Sequence, residues 1–201
     1  MNKKRNKYDI WKLVGSSNFI GFAEKAIKKK FNYSSEHEFP NQERPLYVIG
    51  RSENDLEGYL EGPTAEPVGN ISDGTYMGIK APWAGPSQDS HGREITKERL
   101  LEFKGYKDYT GMGRILSVFR FDYSSNEIGS KLLDYVMKEG YELIESTDSS
   151  DWVIRKGFER SGVFIPCLNY DGTKYDDEIF VWHNPAFNRI KKNILLKEDR
   201  K

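Results

Sequence analysis

Residues 114–158 read RILSVFRFDYSSNEIGSKLLDYVMKEGYELIESTDSSDWVIRKGF, and their order decides the fold. An apolar run, RILSVFRF, has the look of a strand and passes through the polar Asp122–Asn126 stretch into a helical pattern. There Ile128, Leu132, Leu133, Val136 and Met137 fall at i, i+4, i+5, i+8 and i+9, which predicts one buried face over 126–139. Gly140 ends the helix, and YELIES at 141–146 resumes as a strand. A strand that runs through a polar loop into a helix N-terminus can hold an anion. First-turn N–H groups lack intrahelical partners, and the helix dipole favours negative charge there.

Outward from this unit, DIWKLV at 9–14 predicts a first strand, and a helix follows from an N-cap at Ser17-Asn18 to about Phe31. LYVIGRS (46–52) and LEGYLEG (56–62) form a predicted hairpin around Glu53-Asn54-Asp55. Residues 63–113 are dense in proline and glycine and read as a long insertion, with a strand-like TYMGIKA and a helix over 95–103. VFIPCLN and EIFVWHN make a closing hairpin around Asp171-Gly172. The whole is an α+β (α/β) pattern in one domain, 1–201, ending in a basic tail at 186–201.

Composition narrows the function. Lys+Arg and Asp+Glu number 31 each, so no global field favours nucleic acid. The single Cys167 excludes an internal disulfide and a cysteine-based zinc site. His37, His91 and His183 are too scattered to suggest a metal cluster. No signal peptide or membrane span is visible, so the sequence reads as cytoplasmic, with no membrane partner. Oligomeric state is not legible.

Five segments in order resemble the GNAT superfamily of N-acetyltransferases, as a divergent member. They are LYVIGRSENDLEGYL, RILSVFRF, NEIGSKLLDYVMKEG, WVIRKGFE and DGTKYDDEIFVW, between Leu46 and His183. The resemblance implies a mixed sheet flanked by helices, with 63–113 inserted between the third and fourth strands. It implies acetyl-coenzyme A in an opening between the fourth and fifth strands, its pyrophosphate held by backbone N–H groups. The acceptor would be a small-molecule or protein amine. The matching binding residues are Phe119, Arg120 and Phe121 on the fourth strand, then Ser124, Ser125, Asn126, Glu127, Ile128, Gly129 and Ser130.

The family loop is Arg/Gln-x-x-Gly-x-Gly/Ala, and only its last glycine stands here, as Gly129. Ser124 replaces the Arg/Gln, and Glu127 brings a carboxylate beside the expected phosphate. A second reading of the same residues is a capping box, in which Ser124 and Glu127 satisfy each other's backbone N–H groups. If Glu127 instead turns outward, donors from Asn126 to Gly129 stay available. Val153 stands where many members carry a proton-donating tyrosine, so Asp148 and His91 are the candidate catalytic groups. The alternative function is a catalytically inactive GNAT-fold binding module, with Trp83, Tyr106, Tyr109 and Met112 as contact residues.

Overall fold

The computed structural model describes residues 7–13, 25, 27, 29–31, 45–62, 64–65, 88–95, 97–118, 120–168 and 173–188. In chain order these form β1 (Asp9–Leu13), β2 (Leu46–Ser52), β3 (Asp55–Glu61), β4 (Thr64–Ala65) and α1 (Lys97–Leu100). Then follow β5 (Ile115–Ser117), β6 (Arg120–Tyr123), α2 (Asn126–Val136), β7 (Leu143–Ser146), α3 (Asp151–Arg155), β8 (Glu159–Leu168) and β9 (Lys174–His183). The fold is mixed α+β, its strands gathered in two sheets. It divides into two compact units, Met1–Pro63 with Val118–Glu139 and Thr64–Ser117 with Gly140–Lys201.

The first unit holds an antiparallel sheet in the order β1-β2-β3-β6. β2 is buried on both faces, which explains why its sequence is an apolar run rather than an alternation. Leu46 and Val48 join Leu13, Ile27, Leu56 and Tyr59 in one core, with Trp11 and Phe31 packed against it. Tyr47 points to the other face and meets Tyr135 of α2 edge-on, at 6.3 Å between ring centroids. Ile128, Leu132, Leu133 and Val136 form the buried stripe of α2, as the spacing predicts. The β2–β3 hairpin is offset by a bulge at Gly50, where a Cβ would lie 2.5 Å from the Asp55 carbonyl oxygen. The described residues of the expected 17–31 helix, at 25, 27 and 29–31, are helical, and the rest of that segment lies outside the described residues.

The second unit holds a sheet in the order β4-β5-β7-β9-β8, in which β5 and β7 are parallel. The remaining pairs are antiparallel, so the closing hairpin forms as β8 and β9, although its turn lies outside the described residues. β8 starts earlier than its apolar letters suggest, at Glu159, and shifts register between Arg160 and Phe164 around Gly162, whose φ is 80°. TYMGIKA, Trp83 and most of the 186–201 tail also lie outside the described residues.

Two sequence expectations change. RILSVFRF does not form one strand: Ile115–Ser117 pairs with β7, whereas Arg120–Tyr123 pairs with β3 in the other sheet. The helix expected over 95–103 is only four residues long. Beyond it the chain steps through turns, with Phe103 N–H bonded to Leu100 O, Tyr106 N–H to Phe103 O and Tyr109 N–H to Tyr106 O. That period of three brings Leu100, Phe103, Tyr106 and Tyr109 onto the same core as Ile115, Leu143 and Val181. The C-terminal part of the 63–113 insertion is therefore packed structure. Tyr106 and Tyr109 are buried and cannot be surface contacts, whereas Met112 is 54% exposed.

Candidate functional site

β6 is the last strand of the first unit's sheet, and its C-terminal end leads through Ser124 and Ser125 into α2. The predicted capping box is absent. Ser124 serves β3 instead: its N–H bonds the Glu57 carbonyl oxygen at 2.8 Å. The Ser124 hydroxyl, then the Lys30 ammonium, hold the Glu57 carboxyl below its ordinary range. Ser125 is the N-cap, in extended backbone, and its Oγ accepts from Ile128 N–H at 3.5 Å. The Gly129 N–H bonds the Ser125 carbonyl at 3.0 Å.

Glu127 turns away along the helix exterior, where Lys131 Nζ meets its Oε1 at 2.6 Å. Lys131 holds that carboxyl below its ordinary range, through the hydrogen bond first and charge second. The carboxylate is thus neutralised beside the first turn rather than aimed across it. The N–H groups of Asn126 and Glu127 have no intrahelical partner by helix geometry. Lys7, Arg51 and Lys131 also gather over the Tyr8 ring, at 5.5, 5.8 and 5.0 Å from its centroid. The Arg51 hydrogen bond pulls the Tyr8 phenol below its ordinary value. These cations favour an anion on this side of the unit, while Asp55, Glu57 and Glu127 partly offset them.

The other expected binding residues are placed as follows. Phe121 stacks at a tilt on Tyr123, 4.9 Å between centroids. Arg120 lies in β6 opposite Glu61. Ile128 is buried, Ser130 is half-buried and Asn126 is exposed. Phe119 lies outside the described residues. Gly129 has a packing reason of its own, because a Cβ there would sit 2.8 Å from the Tyr123 ring.

The candidate catalytic groups belong to the second unit. After β7, Ser146 Oγ accepts from Asp148 N–H at 3.1 Å, and Asp148 Oδ1 accepts from Ser150 N–H at 2.8 Å. These bonds shape the turn that starts α3. In that helix Val153 is 2% exposed, a core residue rather than a group facing a ligand. His91 is exposed, in a loop gathered around Asp89. Asp89 accepts from the N–H groups of His91 and Arg93, at 2.9 and 3.1 Å, and from Arg93 Nε at 2.7 Å. His183, half-buried, shares a 2.7 Å hydrogen bond with the Gly105 carbonyl and so ties the turn chain to β9.

Three acidic residues that sequence reasoning passed over stand out. Asp177 on β9 is partly buried, and burial pushes its carboxyl above its ordinary range against a hydrogen bond with Thr147. Glu142 is 1% exposed and accepts from the N–H groups of Thr110 and Gly113. Glu145 is 2% exposed, and its Oε2 accepts from Ser117 Oγ at 2.7 Å. A charged letter on the inward face of an apolar strand, as in Leu143-x-Glu145, was the available signal.

Among the described residues, no group of three His, Cys, Asp or Glu side chains is arranged to hold a metal ion. No described helix is long and apolar enough to cross a membrane. No protein-family model matches the chain, and no curated protein matches it. Two solved structures are similar to it. One is described as "putative N-acetyltransferase from Lactobacillus plantarum", at 10% identity and a TM-score of 0.45, over 89% of this chain and 99% of that one. The other is TofI, solved in a ternary complex with an inhibitor and MTA, at 7% identity and a TM-score of 0.43, over 88% of this chain and 91% of that one.

Proposed function

We propose that the protein is a cytoplasmic acetyl-coenzyme A-dependent N-acetyltransferase that transfers directly to an amine of a small molecule or protein. The observation that carries this reading is the outward turn of Glu127 onto Lys131 at the head of α2. It leaves the helix N-terminus fit for a pyrophosphate, with Asn126 and Glu127 N–H groups as donors and Ser125 Oγ beside them. The bound thioester supplies the acetyl group. The attacking amine forms the new C–N bond as the C–S bond breaks, and backbone N–H groups around 119–121 polarise the carbonyl. A side-chain base takes the amine proton. Asp148 and His91 are the candidates for that base from sequence. Water protonates the departing thiolate, because Val153 has no proton to give.

Thermal denaturation with coenzyme A tests the reading. Ligand at a hundred times its dissociation constant adds about 2.7 kcal/mol, or roughly 5–10 °C in Tm for a chain of this size. No shift at millimolar coenzyme A overturns the reading. A shift without thiol release from acetyl-coenzyme A and any of a panel of amines favours the second reading, a binding module on the same fold. The buried Val153 at the family's tyrosine position is the observation on its side.

A further inference from the structure

Glu145 is a carboxyl group set into the apolar core of the second unit. It lies on β7 two residues beyond Leu143, and its neighbours in register are Ser117 on β5 and Val181 on β9. Ile115, Leu143, Val181 and Tyr106 belong to the surrounding core. One oxygen, Oε2, is met by the Ser117 hydroxyl at 2.7 Å. The Tyr106 hydroxyl lies against the same group, yet Oε1 accepts no hydrogen bond of normal geometry among the described residues.

Among the described residues, no cation is paired with it. From the turn chain the facing titratable group is Tyr106; from β5 it is the neutral Ser117. On β9, His183 shares the face two residues from Val181, and its Nε2 is engaged with the Gly105 carbonyl. On β8, Glu159 is in register beyond Val181, exposed and paired with Lys104 at 3.4 Å. Val163 and Ile165 of β8 and Leu100 of α1 are apolar. Arg114, ahead of β5, stacks over the Tyr141 ring at 5.3 Å, and Arg99 of α1 is turned to Asp89.

Among the described residues a carboxylate here faces hydroxyls, whereas a carboxylic acid fits. Protonated at Oε1, it would have an O–H to offer the Tyr106 oxygen while Oε2 accepts from Ser117. We propose that Glu145 is a proton-bearing latch: as a neutral acid it holds Tyr106, and with it the 101–113 segment, onto the second unit's sheet, and it releases that hold on ionising. The proton lost goes to solvent, and the anion left behind is relieved by letting water in at the place that moves most easily. That place is the turn chain, because Tyr106 stands on i→i+3 turns rather than on a long helix or a strand. Burial, working against the Ser117 and Tyr106 hydrogen bonds, pushes the carboxyl up to about 8, so the latch opens just above neutrality.

Hydrogen exchange of the full chain between pH 6 and pH 10, corrected for the intrinsic rate, tests this together with E145Q. In the wild type, protection of the 101–113 amides falls about tenfold for each pH unit from 6 to about 8 and levels off above it, while E145Q, a permanently neutral isostere, keeps its protection across the range. Equal profiles in the two proteins overturn the proposal. So does an E145Q that has already lost protection at pH 6, since the site would then need the anion. Infrared spectroscopy of the wild type gives a reading that does not depend on the variant folding. A carboxylic-acid carbonyl band at pH 7 that vanishes by pH 10 supports the latch, and its absence at pH 7 overturns it.

Discussion

Asp89 and Glu145 are both carboxyl groups taken out of water in the second unit, and they are held in opposite ways. Burial alone raises the pKa of either. At Asp89 that effect is outweighed by backbone N–H donors from Arg93 and His91 and by the Arg93 guanidinium, which hold its carboxyl well below the usual range. At Glu145 burial prevails, because Ser117 and Tyr106 offer hydroxyls that suit the acid as well as the anion. The identity of the donors, not the depth of burial, decides which charge state the fold keeps. A loop closed by N–H groups therefore needs its anion, and a core closed by hydroxyls needs its proton.

The largest expected effect tests the Glu145 half. From its ordinary value of 4.5 up to about 8, the folded state keeps a proton that the unfolded state has released. Stability therefore falls as pH rises through that window, by ~1.4 kcal/mol per unit, and is about 3 kcal/mol lower at pH 7 than in acid. Glu145→Gln removes this slope. Denaturant titrations should show the two proteins converging below the ordinary carboxylate range, with the variant roughly 6–12 °C higher in Tm at pH 7. A wild-type stability that is flat between pH 5 and 8 contradicts the assignment.

Asp89 has the reverse sign. Its folded value is depressed, so its contribution is present above the ordinary 3.8 and is lost as pH falls through the folded value. Asp89→Asn should flatten the acid limb of the stability curve and lower Tm at neutral pH by about 5 °C. It leaves the alkaline limb unchanged. If the acid limb is the same in both proteins, other carboxylates govern it.

Gly129→Ala brings the test to the first unit, where close approach rather than charge sets the sequence. The added Cβ meets the Tyr123 ring at 2.8 Å, and the overpacking should cost about 1–2 kcal/mol by urea titration. A neutral result shows that the ring gives way. The glycine that most resembles a phosphate-loop signature is thus held by an aromatic neighbour, so its loss cannot by itself report on a ligand.

Much of the scaffold was legible in the letters. The i, i+4, i+5 spacing marked the buried face of α2, and the runs LYVIGRS and LEGYLEG marked the β2–β3 hairpin. Two things were hidden for physical reasons. No proline or glycine marks the place where RILSVFRF passes from one sheet to the other, so its pattern reads as one strand. The letters of 95–103 suggest a helix, although Leu100, Phe103, Tyr106 and Tyr109 recur every three residues along successive turns. At the candidate site, the letters showed that Ser124 and Glu127 could cap each other. They could not show that Glu57 and Lys131, distant and near in sequence, compete for those same side chains.

That competition gives the smallest effect on stability and the sharpest one on function. Glu127 and Lys131 form an exposed i,i+4 pair, whose members are 72% and 45% exposed, so Glu127→Ala should move Tm by no more than about 1 °C. Its effect on an anion at the helix N-terminus is a separate matter. Removing the carboxylate takes away a negative charge beside the first turn and frees the Lys131 ammonium, while the Asn126 and Glu127 N–H positions remain in the backbone. Coenzyme A should then bind about threefold tighter by calorimetry, with the gain shrinking as salt is raised. Lys131→Ala removes the partner instead and leaves the Glu127 charge uncompensated, so it should weaken binding. Affinities that move together in the two variants would mean that the pair acts through helix stability. Affinities that move apart place the anion at the head of α2.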